Sequence, residues 1–294
     1  MNPTNGSWWI VHPNLALNRL YPYSAVMYLT SYTSLTWAYQ LHYYICFRTH
    51  RRRESLTADI VEMLNDICTR HDYRLLESRP ECNQVLCLLS LRPAHAISKV
   101  VQTLKCNASR EVTLPVPVWA RGYLARSVGR MRIDAVREYL DHQAEHHGYT
   151  ARVLSPVHCY RATEKAELTA PHCSFELNHH LVFATRRRKS VFDSSLGRAV
   201  CEYWLRVAVT RGFAIDQLSV LPDHVHLIVR IAPGMSIEDC ALLLMNNGQY
   251  FVSKNYGEVL VKLGMDQLWE SSAYAGTCGD FTTALVRTWL RKNE

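Results

Sequence analysis

The chain has 294 residues, enough for one large or two small domains. Hydrophobic residues make up 48% and charged residues 20%, which excludes a disordered chain, and no apolar run reaches the roughly 18 residues of a transmembrane helix. Thirty-three lysines and arginines against 26 acidic residues give a net charge of +7, a surplus that permits a polyanionic partner without requiring one.

The opening residues, Met1 to Gly6, lack the basic and then apolar stretches of a secretory signal, and no membrane partner is expected. Ten cysteines form no CxxC pair, and most sit in apolar stretches, as Cys46, Cys87 and Cys240 do. That pattern predicts reduced thiols in a cytoplasmic protein rather than a disulfide framework. Residues 1–30, with Trp8 and Trp9, match nothing else in the chain and read as an N-terminal extension.

From there the chain repeats itself. Residues 39–53 lie over residues 175–189 at an offset of 136 (175 − 39). Pro93 and Ile97 lie over Pro233 and Ile237 at an offset of 140 (233 − 93). Trp119, Gly129, Val136 and Arg137 lie over Trp269, Gly279, Val286 and Arg287 at an offset of 150 (269 − 119). The offset grows only between blocks, as loop insertions make it. The first repeat spans 31–147, a linker 148–172, and the second repeat 173–294.

In chain order, each repeat predicts a strand (39–47; 175–183) running into a basic loop. An amphipathic helix follows, with Ile60, Val61, Leu64, Ile67 and Cys68 at helical spacing in one copy and Leu196, Val200, Trp204 and Val207 in the other. Two strands come next (about 72–78 and 84–91; about 213–220 and 224–231), then a helix after Pro93 or Pro233. A short strand after Trp119 or Trp269 leads to a terminal helix, 132–147 or 282–293. The order β-α-β-β-α-β is the split-βαβ plan. The fold class is therefore α+β: two tandem ferredoxin-like domains, each an antiparallel sheet with helices on one face and a terminal helix.

The chemistry-bearing residues divide between the copies. His224 and His226 alternate along a strand, so both imidazoles project from one face, where two such rings can ligate a divalent metal. Tyr139 and Gln143 are four apart and share one face of the first terminal helix. A phenol there can attack phosphorus and hold a strand as a covalent ester. His179 and His180 continue a strand and read as structural.

The run Pro222-Asp223-His224-Val225-His226-Leu227-Ile228-Val229 resembles the HUH motif of the single-tyrosine, TnpA-type insertion-sequence transposases. Residues 118–130, followed by Tyr139 and Gln143, resemble that family's nucleophile helix and its approach, and 179–189 its strand and basic loop. The resemblance implies a homodimer of ferredoxin-like subunits acting on single-stranded DNA hairpins or palindromes. In it the HUH pair of one subunit can be completed by the tyrosine helix of the other. It further implies Mg²⁺ or Mn²⁺ held by the two histidines and a glutamine, and a 5′-phosphotyrosine intermediate.

At the matching offsets, His224 and His226 fall on Gln84 and Leu86, while Tyr139 and Gln143 fall on Trp289 and Asn293. Assembly within each repeat leaves both sites dead. Assembly across repeats leaves one site complete (Tyr139, Gln143, His224, His226) and one lost as a unit (Gln84, Leu86, Trp289, Asn293). The expectation is a monomeric fused pseudo-dimer with one active site, capable of further dimerisation. Arg51, Arg52, Arg53, Arg186, Arg187, Arg188 and Lys189 occupy equivalent loops and are candidate phosphate contacts. Two other readings stay open: a domesticated protein that grips DNA hairpins without cutting, and an endonuclease that processes replicon ends.

Overall fold

A computed structural model describes residues 31–50, 59–111, 119–141 and 155–291. The first part of the chain runs β1 (Thr36–Gln40), β2 (His42–Thr49), α1 (Asp59–Arg70), β3 (Arg74–Glu81), β4 (Gln84–Ser90), α2 (Ile97–Glu111), β5 (Trp119–Val128) and α3 (Ile133–Asp141). The second part runs β6 (His158–Arg161), β7 (Cys173–Glu176), β8 (Asn178–Thr185), α4 (Ser194–Arg211), β9 (Ala214–Leu221), β10 (His224–Arg230), α5 (Ile237–Asn255), α6 (Gly257–Lys262), β11 (Trp269–Cys278) and α7 (Thr283–Arg291). One sheet has the order β3-β4-β2-β5-β7, the other β1-β11-β8-β10-β9-β6. In both, the first strand of the repeat lies between its third and fourth, antiparallel to each, which is the ferredoxin-like arrangement.

Local sequence explains the elements. In α1, Ile60, Leu64, Ile67 and Cys68 recur at helical spacing and all four are buried. Burying each such aliphatic side chain contributes roughly 1.5–3 kcal/mol. The helix α5 starts at a capping box, in which Ser236 and Asp239 satisfy each other's backbone amides. Asp193 caps α4, and Gly212 ends it in the left-handed conformation at φ 74°. The long helices cover one face of each sheet, against Tyr43, Ile45, Phe47, Val85, Cys87 and Leu89 in the first repeat.

The expected strands 39–47 and 175–183 are each broken, at Leu41 and at Leu177. Both leucines are buried in the core, and their carbonyls accept from Leu91 N (2.9 Å) and Ile231 N (3.3 Å). The residues before each break pair with the other repeat's sheet: β1 runs parallel to β11, and β7 parallel to β5. Hydrophobic alternation continues through the break, so the sequence reads as one strand where the backbone serves two sheets. Tyr32 reinforces the exchange: its hydroxyl donates to Trp269 O (2.7 Å), and its backbone exchanges hydrogen bonds with the Asn246 side chain. Within the stretch expected as linker, β6 pairs with β9 and forms the edge of that sheet.

Between the repeats, interactions come in pairs related by the sequence offsets. Ser127 Oγ donates to Cys278 O (2.7 Å), and its counterpart Thr277 Oγ1 donates to Val128 O (2.8 Å). Ser127 Oγ accepts from Asn178 N (2.8 Å), and Thr277 Oγ1 accepts from His42 N (2.9 Å). Tyr43 and His179 are themselves counterparts (179 − 43 = 136), and they meet at 2.8 Å between Oη and Nε2. Gly129 and Gly279 sit where the backbones cross; a Cβ on Gly129 would overlap the Thr277 carbonyl, and one on Gly279 the Ser127 carbonyl.

Those glycine carbonyls anchor the terminal helices. Ile133 N, opening α3, donates to Gly279 O (2.9 Å), and Thr283 N, opening α7, donates to Gly129 O (2.7 Å). Each terminal helix therefore starts on the other repeat's backbone and packs on the free face of the other repeat's sheet. Ile133, Val136 and Leu140 of α3 cluster with Ile228 of β10 and Cys278 of β11. Val286 and Leu290 of α7 cluster with Leu86, Leu88 and Val128. All ten cysteines are free thiols: Cys68, Cys87, Cys201, Cys240 and Cys278 are buried, whereas Cys82, Cys106 and Cys159 are exposed. No helix among the described residues is long and apolar enough to cross a membrane.

Candidate active site

The turn joining β9 to β10, Leu221-Pro222-Asp223-His224, brings His224 to the start of a central strand. His224, His226 and Ile228 face the side on which α3 packs, and Val225, Leu227 and Val229 face the long helices. That two-sided cover explains why β10 is almost wholly buried. Asp223 is held on three sides. Its carbonyl accepts from Thr185 N (2.9 Å) and Thr185 Oγ1 (2.9 Å), and its carboxylate pairs with Arg188 Nε at 2.9 Å. The other carboxylate oxygen lies 2.6 Å from His224 Nδ1, fixing that ring's orientation. The His224 and His226 ring centroids are 5.0 Å apart.

From the first repeat, α3 carries Tyr139 to the same place. The three buried apolar residues of α3 dock it on the six-stranded sheet, and its last turn is tied down by Asp141, which accepts from Gln217 Nε2 (2.7 Å) and pairs with Arg161 Nη1 (3.1 Å). The Tyr139 ring lies edge-on to His226, with centroids 5.9 Å apart and planes at 66°. Two residues 87 positions apart (226 − 139), in different repeats, are thus in contact. Gln143 lies outside the described residues.

The counterpart location has different chemistry. Gln84 donates to Glu81 (3.2 Å) and accepts from Cys46 Sγ (3.5 Å), while Leu86 belongs to the apolar cluster under α7. Trp289 packs edge-on to Tyr44, with centroids 6.2 Å apart, and Arg79 stacks on its ring at 4.6 Å. Glu77 accepts from Arg287 Nε (2.8 Å) and also pairs with Arg291, fastening α7 to β3. Burial works to raise the Glu77 pKa, but those two arginines outweigh it and hold the carboxyl below its usual value. This location offers neither imidazole nor phenol at the matching positions. Asn293 lies outside the described residues.

The basic loop of the second repeat is largely engaged with the protein itself. Arg186 pairs with Asp266 and Glu270, Arg188 with Asp223, and Lys189 donates to the Leu263 carbonyl. Arg187 is exposed, in the left-handed region at φ 55°. Arg51, Arg52 and Arg53 lie outside the described residues.

A third imidazole lies beside the pair. His180, expected to be structural, places Nε2 3.0 Å from His226 Nδ1, with the rings stacked at 5.3 Å and 18°. Burial pushes the His180 imidazole down to about 4, so it is neutral at neutral pH. Its neighbour His179 does behave structurally, buried against Tyr43. Tyr274 also borders the site, 5.6 Å from His180 between centroids and half-exposed. The sequence carries a signal for His180: at the offset of 136 it falls on Tyr44, so it too is confined to the repeat holding the histidine pair. Among the described residues, no cluster of three or more His, Cys, Asp or Glu is arranged to hold a metal ion. A cation here would need a ligand beyond the two HUH imidazoles.

Comparison with known proteins places these features in context. The family described as "Transposase IS200 like" matches the chain twice, over residues 37–143 and 173–293. The transposase for insertion sequence element IS200 of Salmonella typhimurium is 22% identical over 125 residues, 42% of this chain and 82% of its own. The ISDra2 transposase TnpA of Deinococcus radiodurans is 23% identical over 120 residues, 41% of this chain and 86% of its own. A solved structure from Deinococcus radiodurans is 20% identical, covering 45% of this chain and 98% of that one at a TM-score of 0.35. Each of the two transposases is thus matched over most of its own length by less than half of this chain.

Proposed function

The chain belongs to the IS200-like transposase family, and on that premise we propose that it cleaves and rejoins single-stranded DNA at one composite site shared between its repeats. The observation that carries this reading is the contact of Tyr139 with His226 across the repeat boundary. The chain would then be a pseudo-dimer, doing within one molecule what two identical subunits otherwise do.

Tyr139 is the nucleophile in this reading. Its oxygen bonds to the scissile phosphorus as the phosphorus–O3′ bond breaks; the phenol gives up its proton, and the departing 3′ oxygen gains one. One phosphodiester replaces another, so a second 3′-OH can reverse the step and rejoin the strand without ATP. His224 and His226 fit a cation ligand pair: both lie on one face, and each has Nδ1 engaged by a partner, His224 by Asp223 and His226 by His180. A Mg²⁺ or Mn²⁺ ion held there, with Gln143 as third ligand, would stabilise the negative charge that builds on the phosphate. Asp223, held by Arg188, keeps the His224 ring aimed. Arg187 would take a backbone phosphate, because Arg186, Arg188 and Lys189 already have protein partners; Arg51, Arg52 and Arg53 are the matching candidates of the first repeat.

The reading is tested by incubating the protein with single-stranded hairpin DNA and Mn²⁺, then resolving covalent adducts on a denaturing gel. The expected product is protein joined to the 5′ phosphate of the downstream fragment, with a free 3′-OH upstream, and duplex DNA should be a poor substrate. A 3′-linked adduct overturns the proposed polarity. Hairpin binding without any adduct favours the non-cleaving alternative instead.

The lost location should stay inactive. Trp289→Tyr is expected to leave adduct yield and stoichiometry unchanged, because Gln84 and Leu86 opposite it cannot hold a cation. A second adduct per chain in that variant would contradict the single-site reading.

A further inference from the structure

We propose that His180 is a positioning residue that accepts the Nδ1 proton of His226 and so presents the Nε2 lone pair of His226 to the cation. The inference rests on the metal reading above and deepens it. The two nitrogens lie 3.0 Å apart, so one of them carries the proton between them. An imidazole that ligates through Nε2 must carry its proton on Nδ1, and it then needs an acceptor there. His180 can be that acceptor, with its own proton on Nδ1. A partner able only to donate would impose the opposite tautomer and cancel the ligand.

Two further observations point the same way. His224 has an equivalent support in the Asp223 carboxylate, 2.6 Å from its Nδ1, so both rings are engaged at the same atom. In the other repeat, the counterparts of His224, His226 and His180 are Gln84, Leu86 and Tyr44, the last packed against Trp289. The third imidazole is missing where the ligand pair is missing. Sheet register delivers it: His180 pairs across the strands with Ile228, which makes it the diagonal neighbour of His226.

The test uses the full-length protein with His180→Leu, which fills the space but cannot accept, and His180→Gln, which offers an acceptor oxygen. In the metal-free wild type, long-range ¹H–¹⁵N correlation spectra should show His226 protonated on Nδ1. By calorimetry, His180→Leu should weaken Mn²⁺ binding roughly 10–100-fold, the usual cost of removing such a support, and His180→Gln should restore most of the loss. Wild-type His226 protonated on Nε2 overturns the inference even if His180→Leu fails to fold. So does unchanged Mn²⁺ affinity in His180→Leu while His226→Ala has lost binding; the metal reading then survives alone. Unchanged binding in His226→Ala removes the metal reading and this inference together.

Discussion

Tyr139→Phe should reduce covalent capture of single-stranded DNA by at least ~10⁴-fold, on the scale of losing the nucleophile in covalent enzymes. The substitution removes one oxygen. The ring, its edge-on contact with His226 and the docking of α3 through Ile133, Val136 and Leu140 all remain. Hairpin affinity and melting temperature are therefore expected to match the wild type, which separates loss of chemistry from loss of structure. Adduct yield on a denaturing gel, alongside binding by fluorescence anisotropy, makes the measurement. Retained capture would mean that another residue attacks. Tyr274, half-exposed beside His180 in the second repeat, would be the next candidate, and a Tyr274→Phe variant would identify it.

Gly129→Ala or Gly279→Ala should cost at least ~3 kcal/mol of stability, a loss near the upper end for an overpacked core. Here the obstacle is backbone: the new Cβ overlaps a carbonyl of the opposite repeat, which cannot swing aside as a side chain can. Relief requires the crossing strands to separate. That would stretch the hydrogen bonds of Ser127 and Thr277 and the anchors of Ile133 and Thr283. A drop of roughly 6–12 °C in melting temperature is expected, read by calorimetry. Gly212→Ala provides the contrast. Its Cβ would meet nothing within 4 Å, so only the strain of a positive φ is added. Equal losses in all three variants would show that the crossing is not tight.

Much of this protein is determined by the sequence itself. The duplication is visible because counterparts keep their order and their offsets. The elements are visible because period-2 and period-3.6 patterns survive in both copies, with β3, β4, β9 and β10 within about three residues of their expected bounds. That His224 and His226 share a face follows from strand alternation, which needs no tertiary information. The offsets alone place Gln84 and Leu86 opposite the histidine pair and Trp289 opposite Tyr139.

Three features were decided only by the tertiary structure. The breaks at Leu41 and Leu177 depend on which sheet supplies the hydrogen-bond partners, and a continuous hydrophobic pattern is silent on that. The contact of Tyr139 with His226 depends on where α3 starts, and Gly279 of the opposite repeat sets that through one hydrogen bond to Ile133. The place of His180 depends on strand register: a shift of one residue would turn the ring to the other face of the sheet, whereas the register formed sets it against His226. Local pattern reports which way a side chain points from its own element. Which side chain it meets is set by the pairing of elements far apart in the chain, through packing that no local stretch encodes.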